Sequence, residues 1–452
     1  MDVKIGFEIH VPLKTNRKLF CYCRTNYWSV EEPNVLICPV CTGMPGSKPF
    51  EVNKEAIIKG IAICLALNCK LNDRIIFLRK HYTYPDLPSG YQRTSTPVGE
   101  HGRFHGVGIR EVHVEEDPGQ YDPSTGVVDY NRSGCPLAEI VTEPDLHSPE
   151  EARDFLKKLF QTFGYMDLTI DKPGTIRFDV NVSVNGGERV EIKNVNSIKG
   201  AYRALLFEIS RQKRLLESGQ EVKRETRAYL ESQMITVPMR EKETAADYRY
   251  ITDPDIPIIQ ITERLIDHAR SYTQELPETA AKRLKEKYNL PDEIIEKLII
   301  NKKNVAYFEK ATEYLNEPEE LAKWIVGHLY WQLNLKNKEI DEIYLTPERL
   351  AKLVKLYLDK KISDVVLKES FKVLPFEDID PLDYIEREGL TMEESGLEQI
   401  LDKVIKEHQK AVNDYKSGKK EALNFLVGMV MKETRGKYPP EKVKEELKKL
   451  LD

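Results

Sequence analysis

Four cysteines open the chain's chemical inventory: Cys21-x-Cys23, a strand-sized gap, then Cys38-Pro39-Val40-Cys41. Two close pairs of thiols allow tetrahedral S₄ coordination, the arrangement of structural zinc. A redox Cys-x-x-Cys needs only one pair, and four unrelated thiols need no pairing at all; both stand as alternatives. A zinc ion held this way staples a fold and does no catalysis. Cys64, Cys69 and Cys135 read as packing residues.

A second inventory lies on alternating segments. Val3, Ile5, Phe7 and Ile9 interleave with Lys4, Gly6, Glu8 and His10, and Ile176, Phe178, Val180 and Val182 with Arg177, Asp179, Asn181 and Ser183. Two more flank them: Val112 and Val114 against His113 and Glu115, then Val190 and Ile192 against Arg189, Glu191 and Lys193. Successive strand side chains point to opposite faces, so each segment offers an apolar face to a core and a polar face outward. Side by side, Glu8, His10, Glu115, Glu116, Asp179, Asn181 and Glu191 would bring carboxylates within reach of one ion, and their repulsion would demand a cation. Oxygen ligands favour Mg²⁺, with His10 less typical and open to a role through water; an ordinary solvated acidic sheet is the competing reading. Arg79, Lys80, Arg177, Lys193, Arg240, Lys242 and Arg249 are cations able to gather phosphate, which is most of what phosphoryl transfer asks of a protein. The P-loop, the dinucleotide fingerprint, the nucleophile elbow and the H-E-x-x-H motif are all missing from the sequence.

Positioning these groups requires a sheet. Up to about residue 260 the pattern is α+β. Thr175 to Val184, the turn Asn185-Gly186-Gly187 and Arg189 to Lys193 form the clearest hairpin, and Asn53 to Leu67, Ser148 to about Phe163 and Ile198 to Ser218 are helical. After about residue 262 strand signals vanish and three to six helices are expected, punctuated by Pro277, Pro291, Pro318 and Pro347. Leu423, Leu426, Val427 and Val430 fall on one face of a terminal helix. The 452 residues predict two to four domains. Residues 403–452 hold 13 Lys/Arg against 8 Asp/Glu, a net of +5, so the preceding residues carry −11 of the chain's total of −6. A basic end on an acidic body suits nucleic acid, against a solvated helical surface. No secretory leader is evident, Ala56 to Leu67 is too short to cross a bilayer, and seven cysteines are too few for a secreted framework, so a cytoplasmic protein is expected.

Read in order, several segments resemble the GatB/GatE family, the B subunits of GatCAB aminoacyl-tRNA amidotransferases. They are Ile5-Gly6-Phe7-Glu8-Ile9-His10-Val11, Cys38 to Gly46, Lys80 to Asp86, His113-Val114-Glu115-Glu116-Asp117, Val128 to Arg132, Glu143-Pro144-Asp145, Asp179 to Ser183, Glu191 to Ser197 and Asp247-Tyr248-Arg249-Tyr250. Ala411 to Lys419 and Leu426 to Lys432 resemble the family's YqeY-type tail.

The resemblance implies an α+β, mixed or antiparallel cradle over residues 1–291, a helical domain over 292–392 and a small helical tail over 393–452. It implies ATP- and Mg²⁺-dependent activation of the side-chain carboxylate of misacylated Glu-tRNA(Gln) or Asp-tRNA(Asn). Ammonia from glutamine, released by the amidase subunit GatA in a complex with the small subunit GatC, then displaces phosphate. On that reading Glu8, His10, Glu115, Glu116, Asp179, Asn181 and Glu191 surround the chemistry, Mg²⁺ taking Glu8, His10, Glu116 and Asp179. Lys80, Arg177, Lys193 and Arg249 hold phosphate, and the cysteines match the zinc site of some members. Lys416, Lys419, Lys420, Lys432, Arg435 and Lys437 are the tail's candidate tRNA contacts. The chain departs from the family at His81, where Asn is usual, and at Asp117-Pro118-Gly119-Gln120, usually D-A-G-K, so Gln120 inherits no phosphate role. A GatE-type paralogue would carry a large insertion after Asp247, for which there is no room. A non-catalytic tRNA-binding scaffold and a stand-alone metal-dependent hydrolase are the remaining rivals.

Overall fold

A computed structural model describes residues 2–170, 175–239, 248–392, 394–434 and 436–451. The chain divides into two compact units, Met1–Thr279 and Ala280–Asp452.

Alternation builds the first unit. Its strands include β1 (Val3–Pro12), β2 (Phe77–His81), β3 (Tyr91–Ser95), β4 (Gly99–Phe104), β5 (Val107–Glu116), β6 (Pro136–Thr142), β7 (Arg177–Val184), β8 (Val190–Val195), β9 (Glu225–Leu230), β10 (Ile235–Pro238) and β11 (Ile251–Thr252). They form most of a 12-stranded sheet in the order β10-β9-β8-β7-β1-β6-β5-β3-β2-β11, with β4 pairing β5 off that path. β8 and β9 run parallel, and the other neighbours on the path from β10 to β11 are antiparallel. The β7–β8 hairpin turns through Asn185 at φ 51° and Gly186 at φ 71°, the left-handed geometry that Asn and Gly tolerate.

One face of the sheet is the core. Ile5, Phe7 and Ile9 of β1, Val112 and Val114 of β5, Ala138 and Ile140 of β6, and Phe178, Val180 and Val182 of β7 are all buried in one cluster. Three helices cover that face: α1 (Lys54–Ala66), α2 (Pro149–Tyr165) and α3 (Ile198–Glu217). Each begins where the sequence places a cap, the side chains of Asn53, Ser148 and Ser197 accepting backbone N–H bonds from Glu55, Glu151 and Gly200. Apolar residues occupy nearly every turn of α1, from Ala56 to Ala66, because that helix is buried on all sides. Covering one face leaves the opposite face of β1, β5, β6, β7 and β8 for polar groups.

From residue 263, within the end of the first unit, through the second unit the described elements are helices, and the expected three to six understate their number. The stretch from 263 onward contains Glu263–Tyr272, Pro277–Tyr288, Asp292–Leu298, Lys302–Tyr314, Pro318–Trp324, Tyr330–Lys336, Pro347–Leu358, Asp364–Ser370 and Pro381–Arg387 before the terminal group. Proline at a first helical turn and capping side chains such as those of Asn301, Thr346, Ser363 and Asp380 chop one long polar pattern into short rods. The terminal group, Glu394–Glu407, Gln409–Lys416, Glu421–Glu433 and Pro440–Leu451, closes on its own apolar cluster of Leu397, Leu401, Val404, Leu423, Leu426, Val430, Val443 and Leu447. Among the described residues, no helix is long and apolar enough to cross a membrane.

Candidate functional site

Strand register assembles the polar face. On β1, Glu8 stands opposite Asp179 of β7, His10 stands opposite Arg177 on one side and Glu139 of β6 on the other, and Asn181 of β7 stands opposite Glu191 of β8. Glu139 in turn faces His113 of β5. Above this face lies a cavity of about 1750 Å³ whose wall includes Glu8, His10, Lys80, Glu115, Arg177, Asp179, Lys193 and Arg249. The imidazole of His10 sits at its floor, with Nε2 3.7 Å from Glu8 Oε1, 3.8 Å from Glu115 Oε1 and 3.7 Å from Glu139 Oε2.

Electrostatics of the floor follow from crowding. Burial alone would strip the proton from His10, but Glu139, Glu115 and Glu8 outweigh it and raise the imidazole to about 9. Glu115 is pushed up to about 7, first by burial and then by Glu139. Glu8 is also raised by burial and by Glu139. Glu139 moves the other way, to about 2, because its bond to His10 overcomes its own burial. Carboxylates here exceed the fixed positive charge near them, a surplus that a divalent cation removes. Ligand atoms of Glu8, His10 and Glu139 lie within 4.8 Å of one another, as do those of Glu8, Asp179 and Glu191. Hard oxygen donors dominate both sets, which suits Mg²⁺. Asn181 Oδ1, next to Glu191 in register, is buried with no hydrogen-bond partner, a further acceptor of the kind a cation or its bound water satisfies.

Each cation on the wall is held differently. Lys193 Nζ lies 2.5 Å from Asp179 Oδ2 and 3.2 Å from Glu191 Oε1. Burial opposes its charge, but these two carboxylates raise its pKa overall. Lys80 is raised too, against burial, by Glu115 and the surrounding negative field, and its Nζ lies 4.9 Å from the ring centroid of Tyr248. Arg177 donates to Asp117 Oδ1 at 2.5 Å, so its guanidinium is fixed rather than swinging. Arg249 has φ 43°, and its carbonyl is 3.0 Å from His81 Nδ1, which clips this segment to β2.

The structure departs from the sequence reading at four residues. Glu116 does not join the cluster: its carboxylate meets Arg93 Nη1 at 3.2 Å, and Arg93 also binds the buried Asp253 at 2.8 Å. Strand alternation explains why, since position 116 shares parity with core-facing Val112 and Val114 while Glu115 shares it with His113. Glu139 was missed. The signal was there, a lone carboxylate between buried Ala138 and Ile140, but nothing local says that β6 lies between β1 and β5. Asp117, which anchors Arg177 and stands 3.5 Å from Arg132 Nε, was also missed as part of the wall's support. Arg79, placed with the phosphate cations, instead makes paired bonds to Asp253 of 2.9 and 3.0 Å. Arg240, Lys242, Asp247 and Arg435 lie outside the described residues.

The four cysteines converge although their segments are separate in sequence. Their Sγ atoms lie within 4.8 Å of one another, and Cys38 and Cys41 are 3.9 Å apart. Tetrahedral zinc with Zn–S of about 2.3 Å would separate sulfurs by about 3.8 Å. Cys41 falls to about 5 chiefly through the hydrogen bond from Cys21. Cys64 and Cys69 are packed in the apolar core, and Cys135 is buried.

Within the terminal helices, Lys419 and Lys420 rim a cleft of about 860 Å³ that also exposes Phe425 beside His408. Lys416 and Lys432 are exposed outside it, and Lys437 is half-buried over the ring of Tyr438.

Comparison with known proteins follows the same division. Residues 3–267 match a family model described as the GatB/GatE catalytic domain, and residues 306–451 one described as a GatB domain. The chain is 49% identical over 458 residues to the B subunit of the aspartyl/glutamyl-tRNA(Asn/Gln) amidotransferase of Methanopyrus kandleri, covering 100% of this chain and 99% of that protein. It is 48% identical to the protein of the same name in Methanocaldococcus jannaschii, over 100% of this chain and 98% of that one. The Methanothermobacter thermautotrophicus protein of that name is 47% identical, over 99% of this chain and 100% of its own length.

Proposed function

The chain belongs to the GatB/GatE family, and from that premise we propose that it is the B component of an ATP-dependent amidotransferase acting on misacylated Asp-tRNA(Asn), Glu-tRNA(Gln) or both. It activates the side-chain carboxylate of the attached amino acid by phosphorylation, and ammonia then replaces phosphate to give the amide. The chain has no Ser-Ser-Lys amidase signature, so ammonia comes from a glutaminase partner, GatA, assembled with GatC. One observation carries the reading: strand register brings Glu8, His10, Glu115, Asp179 and Lys193 to a single cavity, with Lys80, Arg177 and Arg249 around it.

The residues divide the work. Glu8, Asp179 and Glu191, with Glu139 and His10 beside them, would hold Mg²⁺. When bound, Mg²⁺ and ATP supply the transferable phosphoryl group and neutralise its charge. His10 is held among three carboxylates, which keeps its Nε2 directed into their midst. Lys193, fixed by Asp179 and Glu191, presents a cation that needs no rearrangement to meet phosphate oxygens. Arg177, locked by Asp117, does the same from the neighbouring strand position. Lys80 and Arg249 complete the basic rim. The four cysteines would bind structural zinc. In this reading residues 1–291 are the catalytic cradle, 292–392 a helical domain and 393–452 a tail whose Lys416, Lys419, Lys420, Lys432, Arg435 and Lys437 meet tRNA.

Reconstitution with the amidase and small subunits tests the proposal. Amidation of at least one of the two misacylated tRNAs, dependent on ATP and glutamine, is expected; amidation of neither overturns it.

A further inference from the structure

Lys18 is 0% exposed, and among the described residues its ammonium group has three hydrogen-bond partners: Leu36 O at 2.8 Å, Tyr130 O at 3.3 Å and Cys41 Sγ at 3.4 Å. Two are neutral carbonyls. Among the described residues no carboxylate lies within ion-pair distance of it. A buried ammonium without a formal negative charge nearby costs several kcal/mol, which is why buried lysines are almost always paired. The third partner is where that charge can arise, since Cys41 is one of the four clustered cysteines.

We propose that Lys18 is the counter-cation of the cysteine site, its ammonium donating to the ligated thiolate of Cys41. The inference rests on the reading of the four cysteines as a zinc site. When four thiols bind Zn²⁺, each loses its proton to solvent, and the site passes from neutral to a charge of −2. Backbone N–H groups disperse part of that charge, Cys38 N donating to Cys41 Sγ at 3.2 Å, but they carry none of their own. Lys18 supplies a whole positive charge in a dry setting, where it is little screened. Its placement is built from several directions. Lys18 N donates to Cys23 O at 3.0 Å, Leu19 N to Gly134 O at 2.8 Å, and Ser133 Oγ to Cys41 O at 2.8 Å. The same residue therefore joins both cysteine pairs to the 130–134 loop, whose Arg132 lies beside Asp117. Nothing in the phosphoryl-transfer reading uses Lys18.

Zinc content and release from the full chain, assembled with its partner subunits, test this in Lys18→Met, Lys18→Arg and the parent protein. One zinc per parent chain is expected; none would overturn the zinc reading itself. Given zinc in the parent, Lys18→Met is expected to lose it to a chromogenic chelator about 10–100-fold faster, the range for removing a supporting partner of a metal ligand. Lys18→Arg, which keeps the charge, is expected to restore most of the retention. Equal release from parent and Lys18→Met overturns the assignment. So does an equal fall in melting temperature for Lys18→Met with zinc bound and with zinc stripped, which would mark a packing role alone. Should Lys18→Met fail to fold, Lys18→Gln replaces it against Lys18→Arg, and equal zinc release from those two likewise overturns the proposal.

Discussion

The cavity of the first unit and the cleft among the terminal helices both gather charge, by opposite means. In the cavity the charges are wholly or partly buried, and several are held by one another: Lys193 by Asp179 and Glu191, Arg177 by Asp117, His10 by Glu8, Glu115 and Glu139. In the tail Lys416, Lys419, Lys420 and Lys432 stand in solvent, and the ion pairs there join exposed groups, as between Lys419 and Asp414 at 2.9 Å and between Lys403 and Glu433 at 2.9 Å. Surface pairs of that kind contribute little and are screened by salt. Groups that fix one another can position reacting atoms, whereas exposed cations attract a polyanion without orienting it. The proposed function accordingly assigns chemistry to the first region and tRNA attraction to the second.

Substitutions on the cavity floor press hardest on that contrast. Asp179→Ala or Glu8→Ala in the reconstituted complex is expected to lower tRNA-dependent ATP hydrolysis by about 10²–10³-fold, with tRNA binding unchanged. Intact hydrolysis would remove the distinction and favour a scaffold.

Next in size is Glu116→Gln, on the opposite sheet face. Arg93 keeps Asp253, so a loss of about 1–3 kcal/mol in unfolding free energy is expected, with activity per folded molecule retained. A catalytic defect at full stability would return Glu116 to the cluster.

His113 tests whether buried charge in this sheet depends on its neighbours. Burial disfavours its proton, but Glu111, at 3.5 Å from Nε2, and Glu139 raise it from 6.5 to about 9. A folded value above the unfolded one contributes stability that is full below pH 6.5 and lost as pH climbs through 9. The melting-temperature gap between the parent and His113→Gln is therefore expected to close over that window; a gap that widens with pH contradicts it.

Smallest are the tail lysines. Lys419→Ala or Lys420→Ala is expected to weaken tRNA binding a few-fold, to reduce the slope of log affinity against log salt by about 0.7–0.9 each, and to spare turnover at saturating tRNA. A turnover defect at saturation would blur the two regions.

Much of this was legible beforehand. The α+β body, the helical remainder, the β7–β8 hairpin and the starts of α1, α2 and α3 follow from period-two alternation, an Asn-Gly turn and capping residues, all local signals. The number of short helices did not follow, because proline and caps cut a pattern whose charged faces look continuous. Within the site, Glu8, His10, Glu115, Asp179 and Lys193 reach one cavity as their strand faces imply. The exclusion of Glu116 was equally legible, since its position carries the parity of Val112 and Val114.

Sequence by itself determined which side chains share a strand face, which thiols exist in pairs, and which family the ordered segments resemble, since each depends on neighbours in the chain. Tertiary structure alone decided that β6 lies between β1 and β5 and so inserts Glu139 beside His10, that Asp117 holds Arg177, and that Lys18 ends against Cys41. Those contacts join residues far apart in sequence, and strand order and register are settled by packing the whole apolar face at once.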